Sequence, residues 1–224
     1  MTSGKPRIAI VGGTGDLGSG LAYQLAKTGY AVTIGSRTVE KADMTAATLS
    51  ARLPHATISA SDNRAAAAGA DVVILTVPYS SHDSTLESIR PHIQGKILVD
   101  ATVPLVPPKV MRVQLPPGGS VARQAQQVLG DNVRVVSAFQ NIAAAHLQSE
   151  TLNDSLSDVL VCGNDAEARA VVVELAESIG LTAWHAGAID NSVVPEALTS
   201  ILIFLNKKYE LDGAGIRVVA KNMA

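Results

Sequence analysis

Along the first half of the chain, short apolar runs alternate with stretches whose apolar residues recur at helical spacing. The run RIAIVGG (7–13) is rich in β-branched residues and ends in glycines. It is followed by GSGLAYQLAKTGY (18–30), which places Leu21, Ala22, Leu25 and Ala26 on one side of a helix with Gly29 as its stop. The pattern then predicts a strand over 31–36, a helix over 40–53, a weaker strand over 56–61 and a strand over 71–78 closed by Pro78. A helix over 81–93 and a strand over 96–104 continue the alternation, while Ala65–Ala68 reads only as a helix-friendly patch. Strands that are almost wholly apolar must be covered on both faces. The order therefore predicts an α/β fold with a Rossmann-type, doubly wound parallel sheet.

Beyond residue 104 the rhythm loosens. The proline-rich segment 104–119 reads as a loop, SVARQAQQVLG (120–130) as a helix, and RVVSAFQNI (134–142) as a strand with unusual polar residues near its end. A strand over 158–165, a helix over 166–179, the short segment 182–187 and a long apolar helix at roughly 190–209 complete the chain. The division expected is a nucleotide-binding Rossmann domain over 1–145 and a small C-terminal α/β extension over 146–224. The last helix is apolar on more than one face, which predicts burial in a homodimer interface or beneath a second substrate.

Composition narrows the classes of function. With 18 basic and 20 acidic residues the formal charge is −2, so a partner held by bulk positive charge, such as a nucleic acid, is not expected. No apolar run reaches the roughly 18 residues of a membrane span. The polar lead into the first strand lacks the apolar region and cleavage site of a secretory signal. The single cysteine, Cys162, rules out an internal disulfide framework and reads as a packing thiol, in keeping with a cytoplasmic protein. The five histidines lack ligand spacing, and no metal site is expected.

The chemistry-bearing motif follows the first strand. In VGGTGDLGSG, Gly13, Gly15 and Gly18 satisfy G-x-G-x-x-G at the entry to a helix. Such glycines permit a tight turn, close approach of backbone to a pyrophosphate, and close packing of helix on strand. The intervening Thr14, Asp16 and Leu17 lie where the helix presents unpaired N–H groups and its positive dipole end. About 20 residues further on, an enzyme using NAD would place a carboxylate against the ribose hydroxyls. Here the second strand ends instead in Ser36 and Arg37, with Lys41 one helical turn beyond. A 2′-phosphate would be repelled by a carboxylate and gripped by a guanidinium fork, so the ligand expected is NADP(H). In open sheets of this kind the ligand lies in the crevice at the carboxyl ends of the strands. That crevice should receive Thr76, Val77 and Pro78 (with Tyr79), then Ala101 (with Thr102 and Val103), and Ala138.

Together with VGGTGDLGSGLA and IGSR, the blocks ADVVILTVP, VDATVPL, RVVSAFQN, DVLVCGNDAEA, HAGAIDNS, EALTSILIFLN and GIRV run over nearly the whole chain. In this order the chain resembles the F420-dependent NADP oxidoreductases, also called NADPH-dependent F420 reductases. The resemblance implies hydride transfer between NADP(H) and coenzyme F420 by direct ring-to-ring contact. It implies no catalytic acid or base, because positioning and exclusion of water carry the reaction. The second-substrate side implied comprises Gln140, Ile142, Val193, Ala197 and Thr199. Family members commonly carry histidine at 140, arginine at 193 and serine at 197, so this side departs from the pattern while Thr199 retains it. Either the deazaflavin is held by other contacts, or another acceptor (an imine, a pterin-like ring or a flavin) takes its place. A non-catalytic NADPH-binding redox module is the remaining alternative.

Overall fold

A computed structural model of the chain describes residues 4–150, 152 and 157–220; the start of the polar lead and the remaining residues of 146–224 lie outside the described set. The central sheet takes the order β3-β2-β1-β4-β5-β6-β7-β8. Its strands are β1 (Ile8–Val11), β2 (Val32–Ser36), β3 (Ile58–Asp62), β4 (Val72–Leu75), β5 (Ile97–Asp100), β6 (Arg134–Ser137), β7 (Val159–Gly163) and β8 (Ala183–His185). The first six are parallel, with Ile8 opposite both Val32 and Val72, and Ile97 opposite both Val72 and Arg134. The crossovers are α1 (Asp16–Lys27), α2 (Val39–Arg52), α3 (Asn63–Gly69), α4 (His82–Ile89) and α5 (Val121–Leu129). The doubly wound sheet expected from the alternation is present.

Strand periodicity divides the core into two layers. Ile8 and Ile10 of β1 face Leu21 and Leu25 of α1 and Leu49 of α2, while Ala9 and Val11 face Ala66 of α3 and Leu86 and Ile89 of α4. All four residues of β1 are fully buried, so truncating Ile10 to alanine would cost on the order of 2–5 kcal/mol.

Three local features differ from the periodic reading. The stretch 63–69 is a full helix, because the Asp62 carboxylate accepts from Arg64 N–H (2.9 Å) and Ala65 N–H (3.1 Å) and so supplies the start that the alanine run lacked. The sixth strand stops at Ser137, five residues short of the expected end. Phe139 there has φ +72° with its ring buried, and this left-handed residue breaks the strand. Strand β7 then runs antiparallel to β6, since the connection leaves β6 and re-enters the sheet from the same end. That connection carries the short helix α6 (Ala144–Leu147) packed on α1. Helix α7 (Ala166–Ser178) restores a parallel crossover to β8.

The last helix, α8 (Val193–Tyr209), keeps part of its apolar surface outside the fold of the single chain. It turns Pro195, Glu196, Ser200 and Leu202 inward, and leaves Val194, Ile201 and Phe204 58%, 47% and 47% exposed. None of the helices among the described residues is long and apolar enough to cross a membrane.

Candidate functional site

A cleft of about 1070 Å³ opens at the carboxyl ends of β1, β2, β4 and β5. Of the residues singled out in the sequence, Thr14, Gly15, Asp16, Leu17, Ser36, Arg37, Lys41, Thr76, Val77, Pro78 and Ala101 line it. Gly13 and Gly18 lie buried beneath. A β-carbon at Gly18 would fall 2.6 Å from Thr76 Oγ1 and 2.8 Å from Gly13 Cα, so glycine lets α1 sit close to the sheet. At Gly15, the residue before α1, a β-carbon would meet only Gly12 O, at 3.8 Å. Protein leaves that space open, directly before the positive end of a 12-residue helix, as a bound phosphate requires.

At the end of β2 the chemistry is cationic and donating. The Ser36 hydroxyl accepts from Thr38 N–H (3.2 Å), and its own hydrogen remains available to a ligand. Among the described residues no ion pair engages Arg37 or Lys41, and both are exposed. The carboxylate adjacent in the sheet, Asp62 opposite Ser36, is occupied in starting α3. A site with two free cations, a hydroxyl and a carboxylate engaged elsewhere suits a 2′-phosphorylated ribose.

The remaining sequence candidates lie away from the cleft wall. Ala138, Gln140 and Ile142 are buried around the turn after β6. The Gln140 amide points inward, donating to Asp100 O (2.8 Å) and Ser137 Oγ (2.8 Å). Thr199 Oγ1 donates to Gln140 O (2.8 Å), so α8 is fastened to this turn; Val193 and Ala197 are half-buried on the same helix.

Several lining residues gave no sequence signal. Asn63 reaches the cleft because β3 pairs with β2, and its Oδ1 accepts from Gly12 N–H (3.4 Å). Leu105, Val106, Pro107 and Val110 belong to the proline-rich loop, and Ala144 comes from the turn after β6. Periodicity is silent about where such segments fold back.

Next to the cleft lies a buried set of charges. His82, 1% exposed, approaches Asp100 Oδ2 through Nε2 (2.8 Å) and Asp83 Oδ1 through Nδ1 (3.0 Å). Burial alone would lower its pKa, but the Asp100 and Asp83 carboxylates outweigh that and raise it to about 9. Each ring nitrogen of His82 faces a carboxylate oxygen, an arrangement that favours the doubly protonated imidazolium. Glu196 of α8 accepts from Val121 N–H (2.7 Å) and Ala122 N–H (3.1 Å) at the start of α5. Burial raises its pKa to about 7 against the pull of those two donors, with the charge of Asp100 adding to the rise. Tyr79, on the cleft wall, is also shifted upward, by burial and by the charges of Asp83 and Glu196. Among the described residues, no three His, Cys, Asp or Glu side chains cluster as a metal site would require.

A sheet of order 3-2-1-4-5-6, a glycine turn into a helix and a strand-end cleft lined by exposed cations after β2 are the features of a dinucleotide-dependent oxidoreductase. Residues 7–104 match the family model for "NADP oxidoreductase coenzyme F420-dependent". The chain is 45% identical to the F420-dependent NADP reductase of Methanocaldococcus jannaschii, over 95% of this chain and 97% of that protein. It is 39% identical to the F420-dependent NADP reductase of Methanothermobacter thermautotrophicus, over 95% and 94%. A solved structure of a provisionally assigned F420-dependent NADP-reductase from Arthrobacter sp. FB24 superposes with TM-score 0.76 at 27% identity, covering 96% of this chain and 100% of that one. The chain belongs to the F420-dependent NADP reductase family.

Proposed function

We infer that the protein transfers a hydride between NADP(H) and coenzyme F420. The observation that carries this reading is the end-to-end likeness to F420-dependent NADP reductases, joined to a cleft whose ribose end suits a 2′-phosphate. The nicotinamide supplies the hydride chemistry when bound. Gly15 and the first turn of α1 hold the pyrophosphate, while Ser36, Arg37 and Lys41 hold the 2′-phosphate. Thr76, Val77, Pro78 and Ala101 orient the reacting end, and the apolar loop residues Leu105, Val106 and Val110 exclude water over it. In this reading no side chain is required to gain or lose a proton in the hydride step itself.

The C-terminal portion, 146–224, forms the second-substrate side in this reading. Thr199 acts through its bond to Gln140 O, and Val193 and Ala197 are half-buried on the same helix. Gln140, Ile142 and Ala138 shape that side from below rather than by open contact. The exposed apolar side of α8 supports a homodimer; a monomeric mass by light scattering at micromolar concentration would remove that part. A buried, unpaired Cys162 is in keeping with a reducing cytoplasm, and the charge of −2 with a small-molecule substrate rather than nucleic acid. The test of function is NADPH oxidation with F420 as acceptor, followed at the deazaflavin absorbance. Turnover at micromolar F420 is expected; tight NADPH binding without turnover would overturn the choice of acceptor.

A further inference from the structure

Asp100 occupies an unusual place. It ends β5 in an otherwise apolar run, it is fully buried, and every polar atom of its carboxylate and carbonyl is used. Oδ2 meets His82 Nε2 at 2.8 Å, and His82 is the first residue of α4, directly after the cleft-lining turn Tyr79–Ser81. Oδ1 accepts from Thr102 N–H at 3.0 Å, fixing the segment Ala101–Val103 that also lines the cleft. The carbonyl accepts from Gln140 Nε2 (2.8 Å) and Ala138 N–H (3.3 Å), fixing the turn after β6. One residue thus joins the two cleft-lining segments after β4 and β5 to the buried turn after β6. Among the described residues, no hydrogen bond joins Ser36 to Lys41, the 2′-phosphate end in this reading, to this set.

A buried ion pair is an expensive way to hold a fold together. Packed apolar residues of similar volume are often as stable or more so, so stability by itself does not account for charge here. What a charged, doubly bonded hub does better is fix direction, because each hydrogen bond sets an angle as well as a distance. Two neighbouring buried oxygens, Thr102 Oγ1 and Gln140 Oε1, have no protein partner among the described residues. Thr102 is also a cleft residue. Polar atoms left open beside a rigid hub mark a place where a ligand or an ordered water completes the set.

We propose that Asp100, with His82 as its buried counter-ion, is a positioning residue for hydride transfer. It sets the relative placement of the turn Tyr79–Ser81, Thr102 and the turn after β6, and thereby the attitude of the nicotinamide end of the nucleotide. The proposal rests on the dinucleotide reading of the cleft but not on the identity of the acceptor.

The test compares binding of NADPH with binding of adenosine 2′,5′-bisphosphate, which carries the 2′-phosphate but lacks the nicotinamide. For Asp100→Asn, calorimetry should show the bisphosphate bound within about twofold of wild type and NADPH weakened roughly three- to tenfold. The single-turnover rate of NADPH oxidation by F420 should fall by at least about tenfold, because a misplaced reacting ring loses rate more than affinity. His82→Leu should reproduce this pattern. His82→Gln, whose amide can still donate to Asp100 Oδ2, should recover most of the loss. Equal weakening of both ligands would mean general loosening of the fold and would overturn the proposal, as would Asn and Leu variants with unchanged NADPH affinity and rate. If Asp100→Asn does not fold, the contrast between His82→Leu and His82→Gln decides the question alone, and identical behaviour of those two overturns the proposal. If wild type fails to reduce F420 while the binding contrast holds, the acceptor assignment is wrong and the role of Asp100 stands.

Discussion

Replacement of Glu196 by glutamine should change how stability depends on pH. The carboxylate is buried against the start of α5, and its pKa rises from the ordinary 4.5 to about 7 in the folded chain. The folded state therefore binds a proton that the unfolded state has already released over this span. Such a group contributes stability below about pH 4.5, and that contribution is lost as pH rises through the folded value near 7. Worked through the linkage relation, the loss between about pH 5 and about pH 8 is roughly 2.5 kcal/mol. The groups that face Glu196 are the Val121 and Ala122 N–H donors, the Ser192 hydroxyl and the charge of Asp100. None of these is removed by the substitution. Glutamine has no titration, and it also turns an amide N–H toward one of the helix donors, so the variant should be weaker at low pH. The assay is urea unfolding of both proteins across the pH range, read as the difference in unfolding free energy. Wild type should lead at about pH 5, and the gap should narrow or invert by about pH 8. Parallel profiles would refute the reasoning, since the carboxylate would then titrate alike in folded and unfolded chains.

Two further outcomes are expected. Arg37→Ala should weaken NADPH binding by about 1.5–3 kcal/mol, roughly 10- to 150-fold in Kd, with NADH little affected; equal weakening of both nucleotides would remove the 2′-phosphate assignment. Cys162, fully buried with its thiol pushed by burial up to about 11, should resist a disulfide reagent in the native protein and react only as fast as the chain opens; labelling at the rate of a free thiol would contradict its placement.

The reading of the chain as an alternating α/β protein needed only local information. Apolar runs such as VVIL over 72–75 specify buried parallel strands by composition, and the glycines at 13, 15 and 18 specify a turn where a side chain would collide. The place of Ser36, Arg37 and Lys41 along the cleft was legible for the same reason, because their position relative to the glycine turn follows from counting along one βαβ unit. The second-substrate side was less legible. The resemblance sets Gln140 on that side, and counting along the chain does not show that the left-handed Phe139 ends β6 early, with the Gln140 amide donating to Asp100 O.

What only the tertiary structure decided are the meetings of residues distant in sequence. Asn63 came to the cleft through strand pairing, Glu196 came to the start of α5 from 75 residues away, and Asp100 joined His82 and Gln140. The antiparallel entry of β7 and the outward apolar side of α8 are of the same kind. Periodicity records whether a residue is apolar and how often apolar residues recur. It holds no information about which buried polar group another buried polar group will find, and in this protein those encounters lie beside the cleft.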